Sequence, residues 1–331
     1  MNATRAGYKE AALEPAMPII DPHHHLYDRP KVRYMFEDLL ADTQAGHNIR
    51  KTVYIETTAW PRAEGPGPMK PVGETEFVNG VAAMSASGRY GEVRICAGIV
   101  GHADLALGTT VDEVLAAHVA AGGGRFRGIR HAAYWDADES VRAHVNRRAP
   151  EGLLRQPKFR EGIAALGRHG LCFDALIWHT QIADLVDLAR AQPGVSIVLN
   201  HVASPLGVGP YAGRREEVMA VWRRDMKVLA TCANVSVKLG GLGMEICGFD
   251  LHARPGGASS DDLVAAWTPY IEPCIQEFGP DRCMFESNFP VDRFSCDYVT
   301  LWNAFKKISR GYDAASRAAL FHDTAARVYR L

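Results

Sequence analysis

The segment from Ile182 to His201, IADLVDLARAQPGVSIVLNH, decides the fold of this 331-residue chain. Its first part carries apolar residues at helical spacing and stops at Gln192-Pro193-Gly194, which does not continue a helix. The run Val195-Ser196-Ile197-Val198-Leu199 that follows is almost wholly apolar, as in a parallel strand covered on both faces. A helix that leads into a buried strand is the repeating unit of α/β folds, and His201 follows this strand almost at once.

The same alternation recurs along the whole chain. Eight short runs have the composition of strands: residues 17–23, 51–57, 93–101, 125–131, 171–178, 195–201, 234–240 and 282–288. Segments with helical spacing lie between most of them, over residues 77–87, 111–121, 159–170, 182–189, 218–232 and 263–278, and a closing helix is expected over 313–329.

Eight strands alternating with helices predict an α/β fold, a (β/α)8 TIM barrel formed as a single domain by residues 17–331 after an N-terminal extension at 1–16. The alternative is a doubly wound open sheet. It is disfavoured because no Gly-x-Gly-x-x-Gly follows a strand, and Gly122-Gly123-Gly124 precedes one, as a helix stop does.

Composition and charge exclude several classes of function. A formal net charge of -1 leaves no broad basic surface for nucleic acid, so a small molecule is the expected partner. Seven cysteines, an odd number, argue against a disulfide framework. Neither a signal peptide nor a membrane span is evident, which predicts a cytoplasmic protein; a homo-oligomer is compatible with the sequence.

Polar side chains occur at the ends of the predicted strands, and the long connections at 61–73, 134–157, 203–213 and 241–260 follow strands as well. In a barrel of parallel strands, all of these meet at the C-terminal face, where active sites are built. The strand-end residues are His23, His25, Glu56, His102, Arg130, His131, His179, His201, Lys238, Glu286 and Asn288. A lone histidine is more often a packing residue, but histidines that close several strands point to a site.

These residue types suit distinct tasks. Alternate residues of a strand share a face, so His23 and His25 can converge on one divalent ion or substrate atom. Arg130 and Lys238 are fixed positive charges, suited to the carboxylate of an anionic substrate or to an oxyanion. Glutamates at this face can orient histidines, bind hydroxyl groups, act as bases or simply pair with arginine or lysine.

Several motifs, taken in order, resemble the amidohydrolase-2 branch of the amidohydrolase superfamily from about residue 18 to the end of the chain. They are Asp21-Pro22-His23-His24-His25, Gly128-Ile129-Arg130-His131, Phe173-Asp174 with His179 and Gln181, Leu199-Asn200-His201, Asn234-Val235-Ser236-Val237-Lys238-Leu239 and Met284-Phe285-Glu286-Ser287-Asn288-Phe289-Pro290-Val291. The resemblance implies a distorted TIM barrel of the kind that hosts sugar lactonases, pyrone-dicarboxylate hydrolases and muconolactone-type hydrolases, and more distantly decarboxylases and hydratases.

One position departs from that family's pattern. The family usually has Asp where this chain has Asn288, within Ser287-Asn288-Phe289-Pro290, and that Asp ligates the metal or acts as the base. An amide offers a neutral oxygen donor and cannot accept a proton at neutral pH. The base is therefore expected at His201, His179 or Glu286, or else the reaction does not begin with Asp-activated water.

The resemblance and the residues together predict a lactone hydrolase. The expected catalytic residues are His201, His179, Asn288 and Glu286, and the expected substrate-binding residues are Arg130, His131, Lys238, Glu56, Trp60 and Tyr134. A divalent metal, with zinc preferred, is expected on His23, His25 and His179, with a metal-free reaction as the alternative. The rival functions are a zinc-dependent decarboxylase or hydratase acting on an aromatic or unsaturated acid, and a non-enzymatic binding barrel.

Overall fold

The computed structural model describes residues 9–30 and 32–331, and its centre is a barrel of parallel strands. The barrel strands, in spatial order, are β1 (Pro18–His24), β4 (Asn48–Ile55), β5 (Arg94–Gly101), β6 (Phe126–Arg130), β7 (Cys172–Ala175), β8 (Ile197–Leu199), β9 (Val235–Leu239) and β10 (Cys283–Phe285). A hairpin of β2 (Tyr27–Arg29) and β3 (Val32–Tyr34) follows β1. The predicted (β/α)8 barrel is confirmed.

The barrel closes between its first strand and the segment after its last strand. The amide of Asn288 donates to the carbonyl of His23 at 2.9 Å, and the amide of His25 donates to the carbonyl of Phe289 at 2.7 Å. These bonds fix the triplet of histidines beside residues 286–289, which brings the two ends of the barrel sheet to one place. The first-strand histidines and the last-strand polar residues are therefore neighbours in space.

Helices cover the outside of the barrel. They are α1 (Phe36–Thr43), α2 (Val72–Ala86), α3 (Asp112–Ala121), α4 (Glu139–Arg142), α5 (Pro157–Arg168), α6 (Ile182–Ala191), α7 (Arg215–Ala230), α8 (Ser260–Phe278), α9 (Tyr298–Ile308), α10 (Ala314–Ala318) and α11 (Thr324–Val328). The predicted helices are all present, and α3 does end at the glycine run. The predicted closing helix is divided by a π-helical turn at Ala319–Asp323. The sequence did not predict α1, the short α4, α9 or the hairpin.

The barrel interior has its own small core beneath the site. Residues 172, 174, 198, 236, 238, 284 and 286 share one parity along the neighbouring strands, which places their side chains on the same face of the sheet. Val198, Met284 and Cys172 belong to an apolar cluster that includes Tyr329, which follows α11. The C-terminal segment therefore packs into this interior core, opposite the strand ends that carry the histidines.

Residues 9–16 pack against α9. The amide of Leu13 donates to Asn303 Oδ1 at 2.8 Å, and Lys306 Nζ donates to the carbonyls of Leu13 and Glu14 at 2.7 and 2.9 Å. Residues 1–8 of the predicted N-terminal extension lie outside the described residues, and the boundary at residue 17 stays a prediction. All seven cysteines are free and buried, as expected. No helix within the described ranges has the length and apolar character needed to cross a bilayer.

Candidate active site

Four of the predicted strand-end residues meet around His23, which is fully buried. The Nε2 atoms of His23 and His25 are 3.3 Å apart, and the ring centroids of His23 and His201 are 4.5 Å apart. The Nδ1 atom of His23 lies 2.7 Å from Glu286 Oε2. The structure thus places His25, His201 and Glu286 in contact with His23 at the C-terminal ends of β1, β8 and β10.

Glu286 links two of these histidines. Its Oε1 atom accepts hydrogen bonds from Nδ1 of His201 at 2.7 Å and from the amide of His201 at 3.1 Å. Two glycines permit this close packing: a Cβ atom on Gly240 would lie 2.5 Å from Glu286 Cγ, and one on Gly241 would lie 2.2 Å from His201 Nδ1. The glycine pair after β9 is therefore a requirement of the site and not a flexible turn.

The hydrogen bonds assign the tautomers of His25 and His201. His25 Nδ1 donates to the carbonyl of Ile55 at 2.8 Å, and His201 Nδ1 donates to the Glu286 carboxylate. Because a neutral imidazole carries one proton, both rings keep an unprotonated Nε2. Each Nε2 can then bind a metal ion or accept a proton.

His23 Nδ1 has two neighbours. Glu286 Oε2, at 2.7 Å, is not aligned as a hydrogen bond, and Lys238 Nζ lies at 3.3 Å. We assign the proton to Nδ1, since a ring nitrogen and a carboxylate oxygen that both lacked a proton would repel at 2.7 Å, and since Arg130 Nη1, which can only donate, lies 3.4 Å from Nε2. This tautomer leaves lone pairs on Nε2 of both His23 and His25.

Two lone pairs that face each other at 3.3 Å are stabilised by positive charge, part of which Arg130 Nη1 supplies from 3.4 Å. Two nitrogen ligands that are each about 2.0–2.1 Å from a tetrahedral zinc ion lie about 3.3 Å apart, which matches the separation of the two Nε2 atoms. Burial lowers the pKa of His23 well below 6.5, and the neighbouring Lys238 lowers it further. Burial, with Arg130 next, likewise lowers the pKa of His25. Both rings are thus neutral near pH 7, the form that binds a metal, and the pair fits a divalent ion.

Arg130 contacts both the His23 ring and Glu56. Its Nε donates to Glu56 Oε1 at 2.8 Å and its Nη2 donates to the Glu56 carbonyl at 2.5 Å, while Nη1 lies 3.4 Å from His23 Nε2. Arg147 Nη2 donates to the same Oε1 atom at 2.6 Å. Burial alone would raise the pKa of Glu56, but the two guanidinium groups outweigh it and lower this pKa. Glu56 is therefore an anion that neutralises much of the Arg130 charge.

Lys238 lies inside the barrel, below the C-terminal opening at which the sequence analysis expected it. Its side chain is fully buried and Nζ donates to Asp174 Oδ1 at 2.6 Å. The same carboxylate accepts from Asn200 Nδ2 and from the Tyr329 hydroxyl, each at 3.0 Å. Residue 238 has the parity of the barrel interior, where a buried ammonium group needs a carboxylate partner. Lys238 thus supports His23 from beneath, unlike the contact with substrate that the sequence suggested.

Asn288 has a carboxylate partner of its own. Its φ of 53° is a left-handed conformation that asparagine tolerates, and its Nδ2 donates to Asp292 Oδ1 at 2.8 Å. Asp292 Oδ2 accepts from the amide of Gly243 at 3.0 Å. Burial raises the pKa of Asp292 to about 7. A carboxylate therefore does lie in this region, four residues beyond the position at which the family pattern has Asp.

His179 differs from the other strand-end histidines. Its Nδ1 accepts a hydrogen bond from the amide of Leu206 at 3.3 Å, and its ring packs against Tyr211. A neutral ring that accepts through Nδ1 carries its proton on Nε2, so it offers a donor and not a metal lone pair. Within residues 9–30 and 32–331, the group of three ligand-type side chains with atoms inside 4.8 Å consists of His23, His201 and Glu286. His179, which the sequence analysis predicted as a metal ligand, is not a member of this group.

The other predicted binding residues have mainly structural contacts. His131 Nδ1 accepts from the amide of Leu105 at 3.2 Å. The Trp60 ring stacks on Phe77 at a centroid distance of 4.1 Å. Tyr134 differs from these two residues because it is close enough to Arg130 and Glu286 to be influenced by their charges. Burial raises its pKa, its hydroxyl lies 3.2 Å from Ser204 Oγ, and the charges of Arg130 and Glu286 act on it.

Sequence reasoning missed Arg147, Asp292 and Tyr329. Asp292 could have been suspected, because it is a carboxylate only four residues beyond the altered Asn288. Arg147 carries no sequence signal, because it is one of two adjacent arginines in a long loop and only the fold shows which of them turns inward.

The parallel barrel gathers histidines and a buried glutamate at the C-terminal ends of its strands, the face on which barrel enzymes build their active sites. The profile of the Amidohydrolase family matches residues 20–331, and the protein belongs to this family. The resemblance inferred from the motifs is thereby confirmed.

Two curated proteins and two crystal forms of one solved protein illustrate the relationship. Uncharacterized protein y4mH of Sinorhizobium fredii is 34% identical over 336 residues, which cover 95% of this chain and 98% of that protein. An L-fucono-1,5-lactonase of Burkholderia multivorans is 29% identical over 214 residues, 63% of this chain and 64% of the lactonase, so the match spans less than two thirds of that relative.

The solved structure is an amidohydrolase from Burkholderia multivorans with bound HEPES. It is 26% identical, with a TM-score of 0.70, and the match covers 95% of this chain and 99% of that one. A second crystal form of that amidohydrolase contains zinc; at 24% identity and a TM-score of 0.70 it supports the fold.

Proposed function

We propose that this protein is a hydrolase that opens a lactone ring, with His201 as the proton acceptor. The observation that carries the proposal is the buried Glu286 carboxylate, 2.7 Å from Nδ1 of both His201 and His23, because it orients one ring as a base and the other toward His25. The L-fucono-1,5-lactonase of Burkholderia multivorans supports this reaction class over other hydrolytic reactions of the family.

In the proposed reaction, water attacks the lactone carbonyl carbon and its proton passes to His201 Nε2. Glu286 stabilises the imidazolium that forms, as a carboxylate behind a catalytic histidine does. Arg130 Nη1, the edge of that guanidinium that Glu56 does not use, donates to the developing oxyanion. The proton on His201 then transfers to the ring oxygen as the carbon–oxygen bond breaks, which gives a hydroxy acid.

His23 and His25 would hold a divalent ion through their Nε2 atoms, with zinc favoured by the nitrogen ligands and by the zinc of the Burkholderia amidohydrolase. When bound, such an ion would supply Lewis-acid polarisation of the lactone carbonyl. The positions of Glu286 and the Ile55 carbonyl support this assignment, because each fixes the proton of one ring on Nδ1.

A pH-indicator assay tests the proposal. Protein purified without chelators is screened against sugar lactones, muconolactones and pyrone carboxylates, and its zinc content is measured on the same sample. We expect acid release from at least one lactone class and none from a variant that carries His201→Ala. Release of carbon dioxide from aromatic acids, with every lactone left intact, would replace the hydrolase by a decarboxylase.

A further inference from the structure

The long connection between β6 and α5 sends one of its two adjacent arginines into the site. Arg147 Nη2 reaches Glu56 Oε1 at 2.6 Å, across 91 residues of sequence, and its side chain is 37% exposed. The neighbouring Arg148 turns outward and pairs with Glu139 at the surface at 2.7 Å. Of the two adjacent arginines, the conformation of this loop thus directs Arg147 alone to Glu56 and Arg130.

The Glu56–Arg147 pair leaves two buried atoms without protein partners. Glu56 is fully buried, and its Oε2 atom has no hydrogen-bond partner among the described residues. Nη1 of Arg147 is buried and equally without a partner in the same set. One atom is a strong acceptor and the other a strong donor. Buried charged groups of this kind are stable only when something else satisfies them.

The charges around these atoms show what that group can be. Arg130 and Arg147 both bind Glu56 Oε1, and Lys238 is paired with Asp174. Because Glu56 Oε2 is an anionic oxygen without a hydrogen-bond partner among the described residues, a substrate carboxylate at this position would face it and be repelled. A hydroxyl group suits the two atoms, since it can donate to Oε2 and accept from Nη1.

We propose that Glu56 and Arg147 form a hydroxyl-reading subsite, so that the lactone opened by this protein is uncharged and carries a ring hydroxyl bound between Glu56 Oε2 and Arg147 Nη1. The proposal rests on the lactonase function proposed above and adds the residues that select the substrate. It makes Arg147 a specificity residue. Arg130, whose Nε and Nη2 are bound to Glu56, does not read a substrate carboxylate.

Two lactones differing in hydroxyl groups provide the kinetic test. We expect Arg147→Met to lower kcat/KM for a polyhydroxylated δ-lactone by about 10-fold or more and to change kcat/KM for unsubstituted δ-valerolactone less than threefold, which corresponds to one charge-assisted hydrogen bond. Arg147→Lys retains the positive charge but lacks the second nitrogen and should fall between. Arg148→Met is the matched control and should leave both values unchanged. An equal loss on both lactones, or a larger loss on a carboxylated lactone, would overturn the proposal.

Binding of unreactive lactams separates this proposal from the lactonase function itself. By calorimetry, wild-type protein should bind a polyhydroxylated δ-lactam at least 10-fold more tightly than δ-valerolactam, and Arg147→Met should abolish this preference. If wild type shows the preference but opens no lactone, the subsite stands and the hydrolase proposal fails. If wild type shows no preference, or prefers a carboxylated lactam, the subsite proposal fails whatever the enzyme hydrolyses.

Discussion

Replacement of Glu286 by Gln tests how much the buried carboxylate contributes. The change retains the shape of the side chain but removes the charge that lies 2.7 Å from Nδ1 of both His201 and His23. A neutral amide can accept from only one of the two rings, and its NH2 group would face the other. At least one histidine must then move its proton to Nε2 or turn away, and that Nε2 no longer accepts a proton or binds a metal.

The size of the effect follows from the contact with His201. Of the two histidine side-chain contacts, this one is the aligned hydrogen bond, and a hydrogen bond to a charged group contributes roughly 1.5–3 kcal/mol. At about 1.4 kcal/mol for each factor of ten, Glu286→Gln should lower kcat/KM by about 10–10²-fold. The assay is lactone hydrolysis with a pH indicator at several substrate concentrations, accompanied by circular dichroism to show that the variant is folded.

Glu217→Gln is the matched control, because Glu217 is an exposed residue of α7 that pairs with the exposed Arg214. This control should retain wild-type kinetics. If folded Glu286→Gln protein keeps kcat/KM within threefold of wild type, Glu286 does not orient the histidines, and the assignment of His201 as the base loses its foundation.

Three further predictions concern the metal pair, the altered strand end and acid stability. Replacing both His23 and His25 by Ala should remove bound zinc and lactone hydrolysis together while the melting temperature shows that the barrel stays folded; zinc retained at wild-type stoichiometry would place the ion elsewhere. Asn288→Asp would set two carboxylates 2.8 Å apart, so this variant should unfold more easily as pH rises above about 7. The double variant Asn288→Asp with Asp292→Asn restores one amide and one carboxylate and should recover the stability. Equal melting curves for the single and the double variant would contradict the pairing. Burial lowers the pKa of His24 to about 3 from 6.5, so the unfolded state binds more protons between these values, and the free energy of unfolding should fall as pH drops through this window, on the order of 4 kcal/mol in total. His24→Gln should flatten that slope in urea titrations between pH 6.5 and 3, and an unchanged slope would assign the acid sensitivity to other groups.

The order of strands was predictable because it depends on repeated local patterns. Several barrel strands are near-continuous apolar runs, and the strand bounds differ from the predicted ones by only a few residues, mainly at the ends that turn into loops. The short hairpin β2–β3 and helix α1 were missed because three-residue strands and an eight-residue helix have too little periodicity to stand out. The helix α9 was missed because the polar Asn303 and Lys306 are buried in it, where they bind residues 9–16.

The candidate site was predictable in its composition but not in its depth. Strand-end position indicates that a side chain faces the C-terminal side of a barrel, which holds for His23, His201 and Glu286. It does not indicate how far down the barrel a side chain lies, so Lys238 was expected at the mouth although Asp174 holds it beneath His23. Nor does it show which loop residue folds back, which is why Arg147 emerged only with the three-dimensional arrangement.

The most direct test of the central claim is hydrolysis of a lactone in water enriched in oxygen-18, followed by mass spectrometry of the product. If water adds to the lactone carbonyl with His201 as base, the hydroxy acid should gain one heavy oxygen in its carboxyl group, and His201→Ala should abolish this product. Absence of any labelled hydroxy acid from the whole lactone panel, with zinc-loaded and correctly folded protein, would contradict the assignment of this barrel as a lactone hydrolase.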